Sequence, residues 1–203
     1  MAELLALVDD QMPDNPHFLF ANWFEAAQRE PAAEPTAMTL ATVSDEGRPA
    51  SRIVLLKGHD KRGFVFYTNF ESRKGRELAE RPVAALTFWW PWIERQIRVE
   101  GRVQKVKESE ADAYFASRPR ASQLGAWASS QSRTVSGRAE LDREMQAVEE
   151  RFRDREVPRP PFWGGYRLHP DRIEFWQHQD QRLHDRIRYC LEGTDWVRER
   201  LAP

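Results

Sequence analysis

Residues 35–69, PTAMTLATVSDEGRPASRIVLLKGHDKRGFVFYTN, pack three apolar, β-branched runs between turn residues, with no room for a helix between them. The punctuation is Asp45, Glu46 and Gly47, then Asp60 to Gly63. Connections this short join antiparallel neighbours, whereas parallel strands need a crossover of a dozen or more residues. The stretch therefore predicts an antiparallel meander, and no strand–helix–strand alternation appears later to suggest a parallel sheet.

The flanking chain fits that frame. Phe20, Trp23, Phe24 and Ala27 recur at helical spacing within 16–30, a helix closed by Pro31 and Pro35. Residues 72–80 read as a short helix with Ser72 as N-cap, followed by strands at 83–90 and 95–106. Helices are predicted over 109–117, 121–128 and 138–153, the last with Leu141, Met145, Val148 and Phe152 in one core stripe. The end alternates again: a strand to Gln177, a polar turn HQDQ, a strand from Arg182, a Gly193 turn and a last strand. Six or seven short strands with interspersed helices predict a mainly β, antiparallel barrel with helical additions. Residues 1–15 read as a free leader and 16–203 as a single domain.

Composition narrows the function classes. The 203 residues hold one cysteine, Cys190, and five histidines, so neither an intrachain disulfide nor a Cys/His metal cluster can be drawn. Without a basic, apolar leader or an apolar run of about 18 residues, a cytoplasmic, non-membrane protein is expected. The 31 bases nearly cancel the 32 acids, but unevenly: residues 1–50 hold nine acids and two bases (net −7), and the remainder 29 bases and 23 acids (net +6). The bases sit in separated motifs without a continuous stripe, which disfavours nucleic acid.

Those motifs are the candidate chemistry. No glycine-rich dinucleotide or P-loop signature occurs, so any phosphate must be held by side chains. Arg73 and Lys74 open a helix where the macrodipole disfavours cations. Either an anion sits there with Thr68 and Ser72, or the helix start is simply solvated. Arg52 and Lys57 bracket RIVLLK. Their odd spacing puts them on opposite faces of a regular strand, so one shared ligand would need a bulge, a strong twist or a second subunit. Arg118 and Arg120 flank Pro119 near Tyr114 and Ser122, either as an anion clamp or as a solvent-facing loop. In RLHDR, Arg182, His184 and Arg186 share one predicted strand face while Leu183 and Asp185 take the other; three potential cations side by side repel unless an anionic ligand or a carboxylate sits among them. His17, His59, His169 and His178 are expected at the surface or in turns, and Cys190 as a small buried hydrophobe. No Ser/His/Asp triad can be assembled.

In order and spacing, PTAM, ATV, RIVLLK, FYTN, SRK, ERQ, YF, SRPR, SQ, GAW, QS, FWGGYR, IEFWQ, RLHDR and the RLAP ending resemble the pyridoxamine 5′-phosphate oxidase family over residues 35 to 203. The resemblance implies an FMN-binding split β-barrel, a homodimer with FMN at the subunit interface, and oxidation of pyridoxamine or pyridoxine 5′-phosphate to pyridoxal 5′-phosphate. O2 would be reduced to H2O2, and hydride would pass from the substrate C4′ carbon to flavin N5, the protein supplying orientation and charge. The implied FMN contacts are Arg52, Ile53, Val54, Leu55, Leu56, Lys57, Tyr67, Thr68, Arg73, Lys74, Gln96, Gln131, Ser132, Trp176 and Arg186. Lys57, Tyr114, Arg118 and Ser122 would hold the vitamin phosphate. Arg182 and His184, with Leu183 between them, would lie against the pyridine ring as the catalytic pair. No metal is implied.

Two departures stand out. Residues 1–15 lack the basic segment with Arg and Tyr that closes over the substrate in relatives, and QHQDQ replaces a glycine-containing turn. They leave two further readings open: a phenazine-biosynthesis-type flavin oxidase on the same fold, and a slow carrier of flavin or pyridoxal phosphate.

Overall fold

The computed structural model describes residues 7–30 and 33–203. Its strands are β1 (Ala37–Val43), β2 (Pro49–Leu55), β3 (Gly58–Asp60), β4 (Gly63–Asn69), β5 (Val83–Trp90), β6 (Arg95–Lys105), β7 (Trp163–Gln177), β8 (Asp185–Glu192) and β9 (Asp195–Arg200). The helices are α1 (Pro16–Ala27), α2 (Arg73–Glu80), α3 (Glu108–Ser117), α4 (Arg120–Ala128) and α5 (Arg138–Arg151). Every pairing is antiparallel, as the short turns require. Among the described residues the sheet has nine strands rather than six or seven. One of the additional strands, β3, is three residues long, too short to show an alternation.

The strand order is β2-β1-β5-β6-β7-β4-β3, with β8 on β7 and β9 on β8. β7 organises it. One edge follows β6, while the other pairs β4 through residues 163–168 and β8 through 172–177. A register shift between Glu100 and Gly101 bends the β6–β7 ribbon. A Cβ on Gly101 would lie 2.1 Å from the His169 carbonyl oxygen, so the bend requires glycine there.

The barrel closes after β2. The Leu56 N–H still donates to the Thr36 carbonyl beside β1, but the next N–H, that of Lys57, donates to Val65 in β4, both at 2.8 Å. Phe64, Phe66, Phe88, Trp90 and Phe175 fill the interior, all fully buried. α1 plugs one end, with Asn15 accepting the His17 N–H as its cap and Pro16 at the first position. Phe20 meets Phe64 edge-on at 4.7 Å, and Trp23 meets Phe175 at 5.2 Å. A second cluster, with Phe115, Leu124, Val148, Phe152 and Trp163, lies under α3–α5.

Some placements differ from the sequence reading. Only the second half of α5 reaches its core: Val148 and Phe152 are buried, whereas Leu141 is exposed. Cys190 is half-buried in β8 rather than enclosed. Pro31 and residues 1–6 lie outside the described residues. Residues 7–13 dock on the β8–β9 hairpin: Leu7 enters the main core, and the carbonyls of Met12 and Pro13 accept from Arg198 and the Tyr189 hydroxyl.

His17 and His59, expected at the surface, sit half-buried among aromatics. His17 stacks on Phe64 at 5.9 Å, and His59 meets Phe20 at 4.9 Å. Burial pushes both imidazoles below their ordinary value of 6.5, against the opposing pull of Asp60. The folded state thus prefers neutral histidine, so this contribution is complete above the unfolded value and is lost as pH falls below it. The melting temperature is expected to drop between about pH 7.5 and about pH 5.5. A doubly substituted His17→Gln, His59→Gln chain, neutral at these sites at every pH, should show a flatter decline by calorimetry.

Candidate active site

The main-chain exchange at Leu56 and Lys57 has a direct consequence for charge. After Leu56 the chain leaves the β1 edge, so Lys57 does not continue the β2 alternation. Arg52 and Lys57 therefore border the same groove, of 360 Å3, together with Tyr67, Thr68, Lys74, Tyr114, Arg118 and Gln131. The turn of the chain supplies what a regular strand could not. An adjoining cavity of 260 Å3 shares Arg118, Gln131 and Trp163 and adds Ser122.

Some of the cations are already answered by the protein. Glu77, almost fully buried, accepts from the Thr42 hydroxyl at 2.5 Å, from Arg52 at 3.3 Å and from Arg73 at 2.8 Å. Burial alone would raise its carboxyl, but Thr42, Arg73 and Arg52 hold it below the ordinary range. Arg73 in the first turn of α2 therefore has an internal counter-charge one turn on. Gly75 lets that turn come close: a Cβ there would lie 2.2 Å from the Phe70 carbonyl oxygen.

Lys74 and Arg118 are different. Among the described residues the Lys74 ammonium meets only neutral acceptors, Gln131 at 2.8 Å, Thr68 at 3.1 Å and Ser72 at 3.4 Å. Burial first, and then the Arg52 charge, pull it down to about 8. The Arg118 guanidinium lies 4.7 Å from the Trp163 ring, and its buried Nη1 has no hydrogen-bond partner. A buried donor without a partner is costly, and an anion in this groove could satisfy it. Beside it Tyr67 stacks on Tyr114 at 4.0 Å and on Trp163 at 5.3 Å. Burial pushes the Tyr67 hydroxyl up to about 12 and raises Tyr114 as well, so both remain protonated donors at neutral pH.

Arg120 does not join Arg118 in a clamp. It turns the other way and donates to the carbonyls of Phe152 and Arg155 past the end of α5, where the negative end of the helix dipole favours a cation. Of the RIVLLK run, Ile53, Val54 and Leu55 line the groove, while Leu56 is buried in the main core. Gln131 reaches the groove and Ser132 lies on the exposed loop beside it.

The remaining expected site residues form a second group. Gln96, Trp176 and Arg186 lie in one cross-strand row over β6, β7 and β8. His184 packs 4.6 Å from Trp176, and Arg186 pairs with the buried Glu174 at 2.9 Å. Arg182 and His184 are not on a strand face with Arg186, because β8 begins only at Asp185. Gln181 and Arg182 take left-handed backbone angles, φ 57° and 63°, which end the two-residue period. Each costs about 1–2 kcal/mol without glycine. Arg182 and Leu183 are exposed on that turn. No side-chain hydrogen bond or ring contact among the described residues links this group to the groove.

Sequence reasoning missed Trp163 as a wall of both cavities, Glu77 as the internal anion, and His178, whose ring lies 5.1 Å from His184. Glu77 was readable as the residue one helical turn after Arg73. Nothing local pointed to His178. Among the described residues no Cys, His, Asp and Glu group could hold a metal, and no helix is long and apolar enough to cross a membrane.

Residues 24–152 match the family described as pyridoxamine 5′-phosphate oxidase, and residues 163–203 match the pyridoxine 5′-phosphate oxidase C-terminal dimerisation region. The chain belongs to the pyridoxamine 5′-phosphate oxidase family. It is 54% identical over 198 residues to a pyridoxine/pyridoxamine 5′-phosphate oxidase of Acaryochloris marina, covering 98% of this chain and 90% of that one. PhzG from Burkholderia lata, solved with tetrahydrophenazine-1-carboxylic acid, superposes with a TM-score of 0.91 at 34% identity over 98% of both chains. A pyridoxamine 5′-phosphate oxidase-related, FMN-binding protein from Nostoc punctiforme shares the split-barrel fold, with a TM-score of 0.72 at 16% identity over 98% of this chain and 100% of that one. Within this member of the family, most of the second group, from Trp176 to Arg186, lies in the segment that matches the dimerisation region.

Glu77→Gln keeps the shape but removes the charge that Arg52 and Arg73 share. It is expected to lower unfolding stability by about 1–3 kcal/mol at neutral pH in urea titration.

Proposed function

We propose that this chain is an FMN-dependent oxidase that converts pyridoxamine or pyridoxine 5′-phosphate to pyridoxal 5′-phosphate, with O2 as acceptor and H2O2 as product. The observation that carries the reading is the set of groove cations with no carboxylate partner among the described residues, Lys57, Lys74 and Arg118, of which Lys74 lines the groove alone and Arg118 also lines the adjoining cavity that holds Ser122. Two separate phosphates match that arrangement: the flavin phosphate at Lys74, Thr68 and the start of α2, and the vitamin phosphate at Arg118, Ser122, Tyr114 and Lys57. Arg73 and Arg52, steadied by Glu77, add to the first site, and Tyr67, Gln131 and Ser132 border it.

The second group reaches the same ligands from a second copy of the chain. Ile53, Trp89 and Leu183 are 63%, 50% and 67% exposed, apolar surface of the kind a partner covers. The matched dimerisation region supports a homodimer in which Gln96, Trp176 and Arg186 of the partner subunit complete the FMN site and its Arg182 and His184 meet the pyridine ring. Bound FMN would supply the electron sink for the oxidation. The chain's own part is to hold the phosphate by charge-assisted hydrogen bonds and to orient the ring. The tyrosine–tryptophan stack keeps water from one wall.

A phenazine-type oxidation is the second reading, favoured by the likeness to PhzG. Either substrate brings one anion beside the flavin phosphate, but a dianionic phosphate can use Arg118, Lys57, Tyr114 and Ser122 together, more donors than a monocarboxylate needs, which favours the phosphorylated vitamin.

The test is the visible spectrum of the purified protein, followed by O2-dependent pyridoxal phosphate formation from each 5′-phosphate. Yellow protein that oxidises both is expected. Colourless protein that takes up no added FMN overturns the reading, and yellow protein inert on both substrates transfers it to the phenazine or carrier alternative. Arg118→Ala is expected to raise KM for the phosphorylated substrate about 10- to 100-fold, the size of one lost charge-assisted contact, with FMN retained. Lys74→Ala should instead weaken FMN retention. Because the unliganded Lys74 loses its proton near pH 8, FMN affinity measured by fluorescence quenching should fall as pH rises past that value, and the Lys74→Ala chain should lack the fall.

A further inference from the structure

The turn that carries Arg182 is tied down at Gln179. Its backbone N–H donates to Nδ1 of His184 at 3.2 Å, and its side-chain Nε2 donates to the Asp185 carboxylate at 2.7 Å. Asp185 is in turn held by the Leu7 N–H at 3.1 Å and by Arg200 at 2.6 Å. Arg200 also grips Asp9 and the Leu7 carbonyl oxygen. Leu7 itself is buried in the main core, 5% exposed. An unbroken set of hydrogen bonds therefore runs from the acidic N-terminal segment to the imidazole of His184.

Its chemical effect is specific. A neutral imidazole has one N–H, and a nitrogen that accepts a main-chain N–H cannot carry it. Nδ1 of His184 is the acceptor, so the proton resides on Nε2 and is presented as a donor. The other tautomer, or the cation, would set one N–H against another. Trp176 and His178 flank the ring at 4.6 and 5.1 Å and limit its rotation. The left-handed Gln181 and Arg182 persist only if their surroundings over-determine them, and the anchored Gln179 lies two residues before them.

We infer that Gln179 is a positioning residue that sets the tautomer and orientation of His184, and that residues 7–9 form a strap that holds Gln179 in place through Asp185 and Arg200. The inference rests on the proposed oxidase reading only in giving His184 a substrate to meet. It also assigns a role to Asp9, whose carboxylate holds Arg200 in the strap.

The test is 15N NMR of histidine-labelled protein as purified, with His184 assigned through His184→Gln, alongside steady-state kinetics. Wild-type His184 is expected to show a bare Nδ1 and a protonated Nε2. Gln179→Ala and Arg200→Gln should each admit the second tautomer and lower kcat roughly tenfold or more, with KM within about twofold and flavin content unchanged. A protonated Nδ1 in the wild-type protein overturns the inference. So do variants that leave either the tautomer or the turnover at its wild-type value. If the wild-type chain oxidises neither 5′-phosphate, the oxidase reading falls and the tautomer comparison alone decides this one.

Discussion

Two consecutive main-chain hydrogen bonds govern much of this molecule. Leu56 still belongs to the β1 edge and Lys57 already belongs to β4, so the sheet closes into a barrel over the length of one peptide. Closure brings β2, α2 and the α3–α4 corner around one groove. Without it Arg52 and Lys57 would diverge, as alternation along a strand demands. The same step leaves β2 as a sheet edge with Ile53 and Leu55 outward, apolar surface that a second subunit can cover.

Charge within the groove is divided by a single carboxylate. Glu77, enclosed with Thr42, satisfies Arg52 and Arg73 and fixes them as parts of the wall. Among the described residues Lys74 and Arg118 have no such partner, which leaves them for the anions proposed above. A buried cation with neutral neighbours is expensive, and the expense is tolerated where a ligand removes it. Glu174 does for Arg98 and Arg186 on the outer face what Glu77 does inside. Each half of the site thus has cations that are structural and cations or donors that remain available.

Legibility varied with how local the encoding was. The helices at α1, α2 and α4, the strands β5 and β6 and the Ser72 cap were readable because dihedral preferences and burial period show within a few residues. The stripe on α5 is right for Met145, Val148 and Phe152 but not for Leu141, since periodicity cannot say where the underlying core ends. Arg118 and Arg120 looked equivalent around Pro119, yet the carbonyls past the end of α5 captured one of them. The alternation in RLHDR suggested one face with three cations. Two left-handed residues stop that strand short, and what secures them is a hydrogen-bond set reaching back to Leu7.

By itself, then, the sequence determined the antiparallel sheet, the family and the inventory of cations that a phosphate would need. Turn lengths and side-chain period express those directly. Tertiary structure decided which of the cations are neutralised, which share a groove, and that the expected site residues of one chain fall into two unconnected groups. Those outcomes depend on partners far apart in sequence, such as Thr42 with Glu77, Lys74 with Gln131, and Leu7 with Asp185. Such contacts exist only once the barrel has closed and the N-terminal segment has docked on the last hairpin.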